Sequence, residues 1–274
     1  MLKDITLGQY YPGDSILHRL DPRVKLMGTL VFIIGLFAFG STASYLAAAT
    51  ALVVVTVLST VPFRFILRGL RAILILMVVT ALFNLFLTPG DPVLKIGIFQ
   101  ITAQGIKMAI HMACRLSLLI IGSGIMTLTT TPNQLTDGME TGLRWMKRLH
   151  VPVHEIAMMM SIALRFIPIL MDEANRIMVA QQARGADFKS GSLIRRAKAL
   201  IPLLVPLFVS AFRRANDLAM AMEARGYHGG EGRTKMNPLI YRRRDIIAYL
   251  IIAGYLVMMF LVWKYVKISL PFLP

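Results

Sequence analysis

The stretch Ile246-Ile-Ala-Tyr-Leu-Ile-Ile-Ala-Gly-Tyr-Leu-Val-Met-Met-Phe-Leu-Val-Trp263 carries no charged side chain and follows directly on Arg242-Arg-Arg-Asp245. A helix that crosses a hydrocarbon core of roughly 30 Å needs about 20 predominantly apolar residues, and this run meets that need. Four further runs read the same way: residues 26–40, 45–61, 72–87 and 116–135. The chain as a whole is 56% hydrophobic and 16% charged, with a mean hydropathy of +0.65. An ordinary soluble domain carries about 25% charged residues. The expected fold class is therefore an all-α integral membrane protein with about five transmembrane helices.

The charges that remain orient the chain. Net charge is +16, and the basic residues are placed unevenly. Arg19, Arg23 and Lys25 precede the first run, and Arg64, Arg68 and Arg71 lie in the second connection. Residues 131–244 hold 18 Lys and Arg against 9 Asp and Glu, whereas the connection at 41–44 has no charge and that at 88–104 has only Asp91 and Lys95. Lys and Arg accumulate in cytoplasmic loops, so the amino terminus and the segment 131–244 are expected in the cytoplasm and the carboxyl tail outside. The positive charge is thus read as membrane orientation, with the lipid bilayer as partner and no nucleic acid. Residues 1–12 lack the pattern of a secretory signal. The single Cys114 excludes a disulfide framework within the chain.

This divides the chain into residues 1–130 (four spans), 131–244 (a cytoplasmic or interfacial module) and 245–274 (the last span and tail). The middle segment contains two apolar runs, 156–171 and 199–212, interrupted by Arg165 and Pro168 and by Pro202 and Pro206. Runs of 10–14 residues more often bury in protein or lie at an interface than cross a bilayer, so both are expected not to span. Each leads into a polar helical stretch, and the two stretches repeat. Glu173-Ala-Asn-Arg-Ile-Met-Val-Ala-Gln-Gln-Ala-Arg-Gly185 aligns with Arg214-Ala-Asn-Asp-Leu-Ala-Met-Ala-Met-Glu-Ala-Arg-Gly226 at an offset of 41 residues. Ala, Met and Gln favour helix, and Gly185 and Gly226 are suited to end one. Long, amphipathic, proline-kinked helices of ~45 and ~50 Å at 1.5 Å per residue are predicted, each with an arginine at its tip.

A basic residue in a last helical turn is ordinarily explained by the helix dipole. That does not account for the same Ala-Arg-Gly appearing twice. Small neighbours leave the guanidinium of Arg184 or Arg225 protruding, as docking against carboxylates requires. Met158, Met159 and Met160 serve equally as ordinary core or as an adaptable apolar surface; with Leu203 and Leu207 they are the candidate platform for a membrane partner. His150 and His154 have helical spacing, but Pro152 lies between them and no third ligand is evident, so no metal is expected. Arg115, at the edge of the fourth run, is expected to snorkel to the outer interface. The run from Tyr11 to Lys25 reads as a turn and a helix start with no further role. No phosphate-binding Gly-rich loop and no catalytic constellation is present, so neither an enzyme nor a cofactor is expected.

These residues resemble a known family. Pro12-Gly-Asp-Ser15, His18-Arg-Leu-Asp-Pro-Arg-x-Lys25, Thr130-Thr-Pro-x-x-Leu135, Arg165-Phe-Ile-Pro168 and the two Ala-Arg-Gly ends resemble the transmembrane T component of energy-coupling factor (ECF) transporters, the EcfT/CbiQ family. The resemblance implies a non-catalytic subunit in a prokaryotic plasma membrane. It would join two cytoplasmic ABC-type ATPases to a membrane S component that captures a vitamin or metal ion. It also implies that Ala183-Arg184-Gly185 and Ala224-Arg225-Gly226 each dock on one ATPase. A self-sufficient secondary transporter is the alternative; it would need a broken-helix pair or an intramembrane acid, and neither is apparent.

Overall fold

A computed structural model describes residues 10–90, 92–96, 99–186, 188, 192–229, 236 and 238–266. The first nine residues, the Gly-rich stretch 230–235 and the tail from 267 lie outside the described residues. The described elements are helices α1 (Pro22–Ala38), α2 (Thr42–Ser59), α3 (Phe63–Leu87), α4 (Ala103–Thr129), α5 (Pro132–Gly142), α6 (Val153–Ala183), α7 (Leu193–Ala224) and α8 (Arg243–Tyr265). A 3₁₀ helix, Arg144–Leu149, lies between α5 and α6. One antiparallel hairpin, β1 (Pro92–Ile96) with β2 (Phe99–Thr102), interrupts an otherwise all-helical chain. The chain forms two compact units, one from Gly8–Met139 with Leu239–Pro274 and one containing Glu140–Pro238.

In the first unit α1, α2, α4 and α8 enclose a core of Leu36, Tyr45, Ala48, Leu52, Leu118, Ile125 and Met259. α3 packs along α4 and contributes Ile66 to a second cluster with Val61 and Leu128. The outward faces are as apolar as the core: Val57, Ile75, Leu250 and Ile251 are each more than 65% exposed. Contiguous apolar surface on this scale marks contact with lipid, and helices satisfy their own backbone hydrogen bonds there. The protein is a multi-pass, all-α membrane protein.

Five helices are long and apolar enough to cross a membrane: α2, α4, α6, the 198–224 part of α7, and α8. α3 would be a sixth, since Phe63–Arg71 and Ile73–Leu87 meet at a 53° bend. The expected run 72–87 is the second limb of α3, and Arg64, Arg68 and Arg71 occupy the first. α1, at 17 residues, reaches only about 26 Å at 1.5 Å per residue. The number five agrees with expectation, but its members do not. α6 and α7 are unbroken helices of 31 and 32 residues with Pro168, Pro202 and Pro206 inside them. Proline removes one hydrogen bond and kinks a helix without having to end it, so the prolines did not divide these runs.

The fourth span also differs. α4 begins at Ala103 and ends at Thr129, where the expectation was 116–135. Thr102 opens it by accepting a hydrogen bond from the Gly105 N–H, and the backbone leaves the helix before Pro132. Arg115 is therefore inside the helix, not at its start, and its guanidinium reaches towards Gly40 in the connection between α1 and α2. Its Nε donates to the Tyr45 hydroxyl (2.9 Å), and its guanidinium lies over the rings of Phe37 and Tyr45.

The run before α1 has a larger structural role than its reading as a turn allowed. Asp21 caps α1, and its carboxylate accepts from the backbone N–H and side chain of Arg23. The Arg23 guanidinium also reaches the Leu239 carbonyl (3.1 Å) and stacks on Tyr241. Buried Asp245 accepts from the Asp21 N–H (2.9 Å) and the Arg242 N–H (2.8 Å). Lys25 donates to the Thr129 carbonyl (2.8 Å). These bonds clasp the starts of α1 and α8 to the end of α4.

Candidate functional site: two matched helix ends

The second unit is built on α6 and α7. Both are held helical by Ala, Met and Leu, and both end in the same construction. At the end of α6 the Ala186 N–H donates to the Gln181 carbonyl (3.0 Å) and the Gly185 N–H to Gln182 (3.0 Å). At the end of α7 the Tyr227 N–H donates to Met222 (3.0 Å) and the Gly226 N–H to Glu223 (2.8 Å). Each is a Schellman closure, which needs a left-handed residue immediately after the cap. Gly185 has φ +87° and Gly226 has φ +69°. A Cβ on either glycine would meet nothing within 4 Å, so glycine is required there by backbone conformation and not by space.

Arg184 and Arg225 are the cap residues of these closures. Both are exposed, as are Ala183, Gly185, Ala224 and Gly226. Among the described residues neither guanidinium has an ion-pair partner. Two arginines are thus presented by one backbone geometry repeated 41 residues apart.

The repeat also fixes where the helices meet. Glu173 Oε2 accepts from Arg214 (2.8 Å), and these are equivalent positions of the two stretches, 41 residues apart. Their opposite charge within the alignment was the sequence signal for the pair. Each tip arginine lies eleven residues beyond its own pairing residue, or about 16 Å along the helix at 1.5 Å per residue. One side of the α6–α7 contact is an apolar groove of about 310 Å³ that includes Phe166, Leu170, Leu218 and Met222. The other carries Asp172 and Arg176 beside the Glu173–Arg214 pair.

The remaining candidates divide. Met159 and Met160 are exposed on α6 and Met158 is half-buried. On α7 Leu207 is half-buried, but Leu203 is 7% exposed and turned inward. The free apolar face of α7 is carried instead by Leu204, Val205, Phe208 and Phe212. His154 pairs with Glu140 (Nδ1 to Oε1, 2.9 Å), a contact that the His150/His154 spacing did not suggest.

Together these features define a class: a multi-pass helical membrane subunit carrying a helical module with two matched arginine ends. The model of the CbiQ family, described as a cobalt transport protein, matches residues 13–236. The chain is 52% identical to the energy-coupling factor transporter transmembrane protein EcfT of Clostridium kluyveri over 252 residues, 91% of this chain and 93% of that protein. It is 49% identical to the EcfT of Heliobacterium modesticaldum over 264 residues (96% and 99%) and 45% identical to that of Bacillus subtilis over 260 residues (93% and 98%). The chain belongs to the EcfT/CbiQ family, the transmembrane components of energy-coupling factor transporters. This kinship fits a subunit of a transport complex and not a self-sufficient secondary transporter.

Proposed function

We propose that the Ala183-Arg184-Gly185 and Ala224-Arg225-Gly226 ends each dock on one of two cytoplasmic ABC-type ATPases. ATP hydrolysis belongs to those partners. Their closing moves α6 and α7, and the motion passes to a membrane S component that holds a vitamin or metal ion. Residues 131–244 act as the coupling module, with the amino terminus on the same, cytoplasmic side of a prokaryotic plasma membrane. Met158, Met159 and Met160, with the apolar run 199–212, supply the platform for the S component. Within that run Leu203 braces the helix from inside.

The observation that carries this reading is the identity of the two ends: one Schellman closure, one exposed arginine without an ion pair among the described residues and one eleven-residue arm, each present twice. Glu at both Arg184 and Arg225 should leave the protein in the membrane while ATPase co-purification and uptake are lost. Removing one partner of a docked charge pair costs roughly 2–5 kcal/mol, so each single substitution should weaken the complex visibly. A normal complex with normal uptake in the double variant would overturn the reading.

A further inference from the structure

Between α5 and α6 the 3₁₀ helix Arg144–Leu149 is closed by the Met146 N–H donating to Leu143 (2.8 Å) and the His150 N–H to Lys147 (3.1 Å). With three residues per turn, side chains three apart stack into rows. One row is Leu143, Met146 and Leu149, a second is Arg144, Lys147 and His150, and the third joins Trp145 to Arg148. Trp145 and Leu149 are 62% and 63% exposed. Arg144, Lys147 and Arg148 are exposed as well, and among the described residues none of them has an ion-pair partner.

An exposed Trp and Leu beside three unpaired bases is poorly matched to water and well matched to a bilayer surface. Trp rests at the headgroup level, leucine dips towards the acyl chains, and Lys and Arg meet lipid phosphates. The tip arginines Arg184 and Arg225 differ: small residues flank them and no aromatic residue precedes them. We infer that the turn Leu143–His150 is a membrane-surface anchor that binds the headgroups of anionic phospholipids, holding the base of α6 at the interface. Charge complementarity selects this occupant, because the turn offers only positive charge next to its apolar row.

The chain has two tryptophans, so Trp263→Phe leaves Trp145 as the only emitter. In nanodiscs, lipids brominated near the headgroup should quench Trp145, and phosphatidylglycerol should increase the quenching over phosphatidylcholine alone. Arg144→Gln, Lys147→Gln and Arg148→Gln together should abolish that difference between lipids. In intact cells, a photoreactive benzophenone side chain at position 145 should give adducts with lipid. Emission unmoved by brominated lipid, or adducts formed only with another polypeptide, would overturn the anchor. Either result leaves ATPase docking at Arg184 and Arg225 untouched, so the two readings fail separately.

Discussion

Lys25 shows how much a single side chain can carry in this protein. It is 9% exposed, and its ammonium donates to the Thr129 carbonyl across 104 residues of sequence. A carbonyl at the end of a helix has no partner within the helix, and here the lysine supplies one. Asp245 does the reverse at the start of α8, where its two oxygens accept two N–H groups. Burial works against a charged Asp21, yet the hydrogen bonds from Arg23 outweigh it and hold the carboxyl below the usual range. Asp21 is therefore charged near neutral pH. Lys25→Met keeps the apolar stem and strands a carbonyl, while Asp245→Asn turns an amide towards an N–H. Each should destabilise the membrane unit by roughly 1–3 kcal/mol, the cost of a buried group left unpaired, read as a lower midpoint in detergent melting. Arg19→Ala, which removes the exposed Arg19–Asp14 pair, should leave that midpoint unchanged. Unchanged midpoints for both Lys25→Met and Asp245→Asn would show that the clasp does not hold the unit together. Sequence exposed the capping Asp-Pro pair, because that signal is local. It hid the Asp21–Asp245 bond, whose partners stand 224 residues apart.

At the scale of the element, α6 and α7 derive their form from a repeat that was legible in sequence, and so was their continuity as long helices with prolines inside. Pro168 reads in sequence as a kink within one long helix, although a proline costs about 3 kcal/mol in an exposed helix interior, and α6 runs through it. In a long helix the surrounding turns absorb that loss. The closures at Gly185 and Gly226 were legible because left-handed backbone selects glycine. The Glu173–Arg214 pair sits where the two arms share one contact. A half-buried pair at the protein surface contributes only about 0.2–1 kcal/mol, so its effect should appear in the angle between the arms more than in stability. Spin labels at Gln182 and Glu223, both exposed and also 41 residues apart, report that angle. Glu173→Arg or Arg214→Glu alone should broaden the distance distribution between them, and the two together, which restore the opposite charges, should narrow it. Identical distributions in all four proteins would show that the arms are set without the pair.

For the whole molecule, charge and length give different answers about α6 and α7, and one measurement decides between them. Length and composition allow both helices to cross a bilayer. Charge opposes this, since their polar halves carry Asp172, Glu173, Arg176, Arg213, Arg214 and Asp217, and each ionised group costs about 2.5–3.5 kcal/mol at mid-membrane. If both crossed, the ends of the chain would keep their sides, but Arg184 would lie outside and Arg225 inside. Two ATPases on one side could then not engage both. In a Cys114→Ser background, Gly40→Cys, in the uncharged connection between α1 and α2, should react with a membrane-impermeant maleimide applied to intact cells. Gln182→Cys and Glu223→Cys should react only after the membrane is opened. Labelling of Gln182→Cys from outside, with Glu223→Cys still protected, would make α6 and α7 a transmembrane pair and rule out paired docking. Protection of both, beside a reactive Gly40→Cys, sets the two arginines on the same face, as the proposed docking on two ATPases requires.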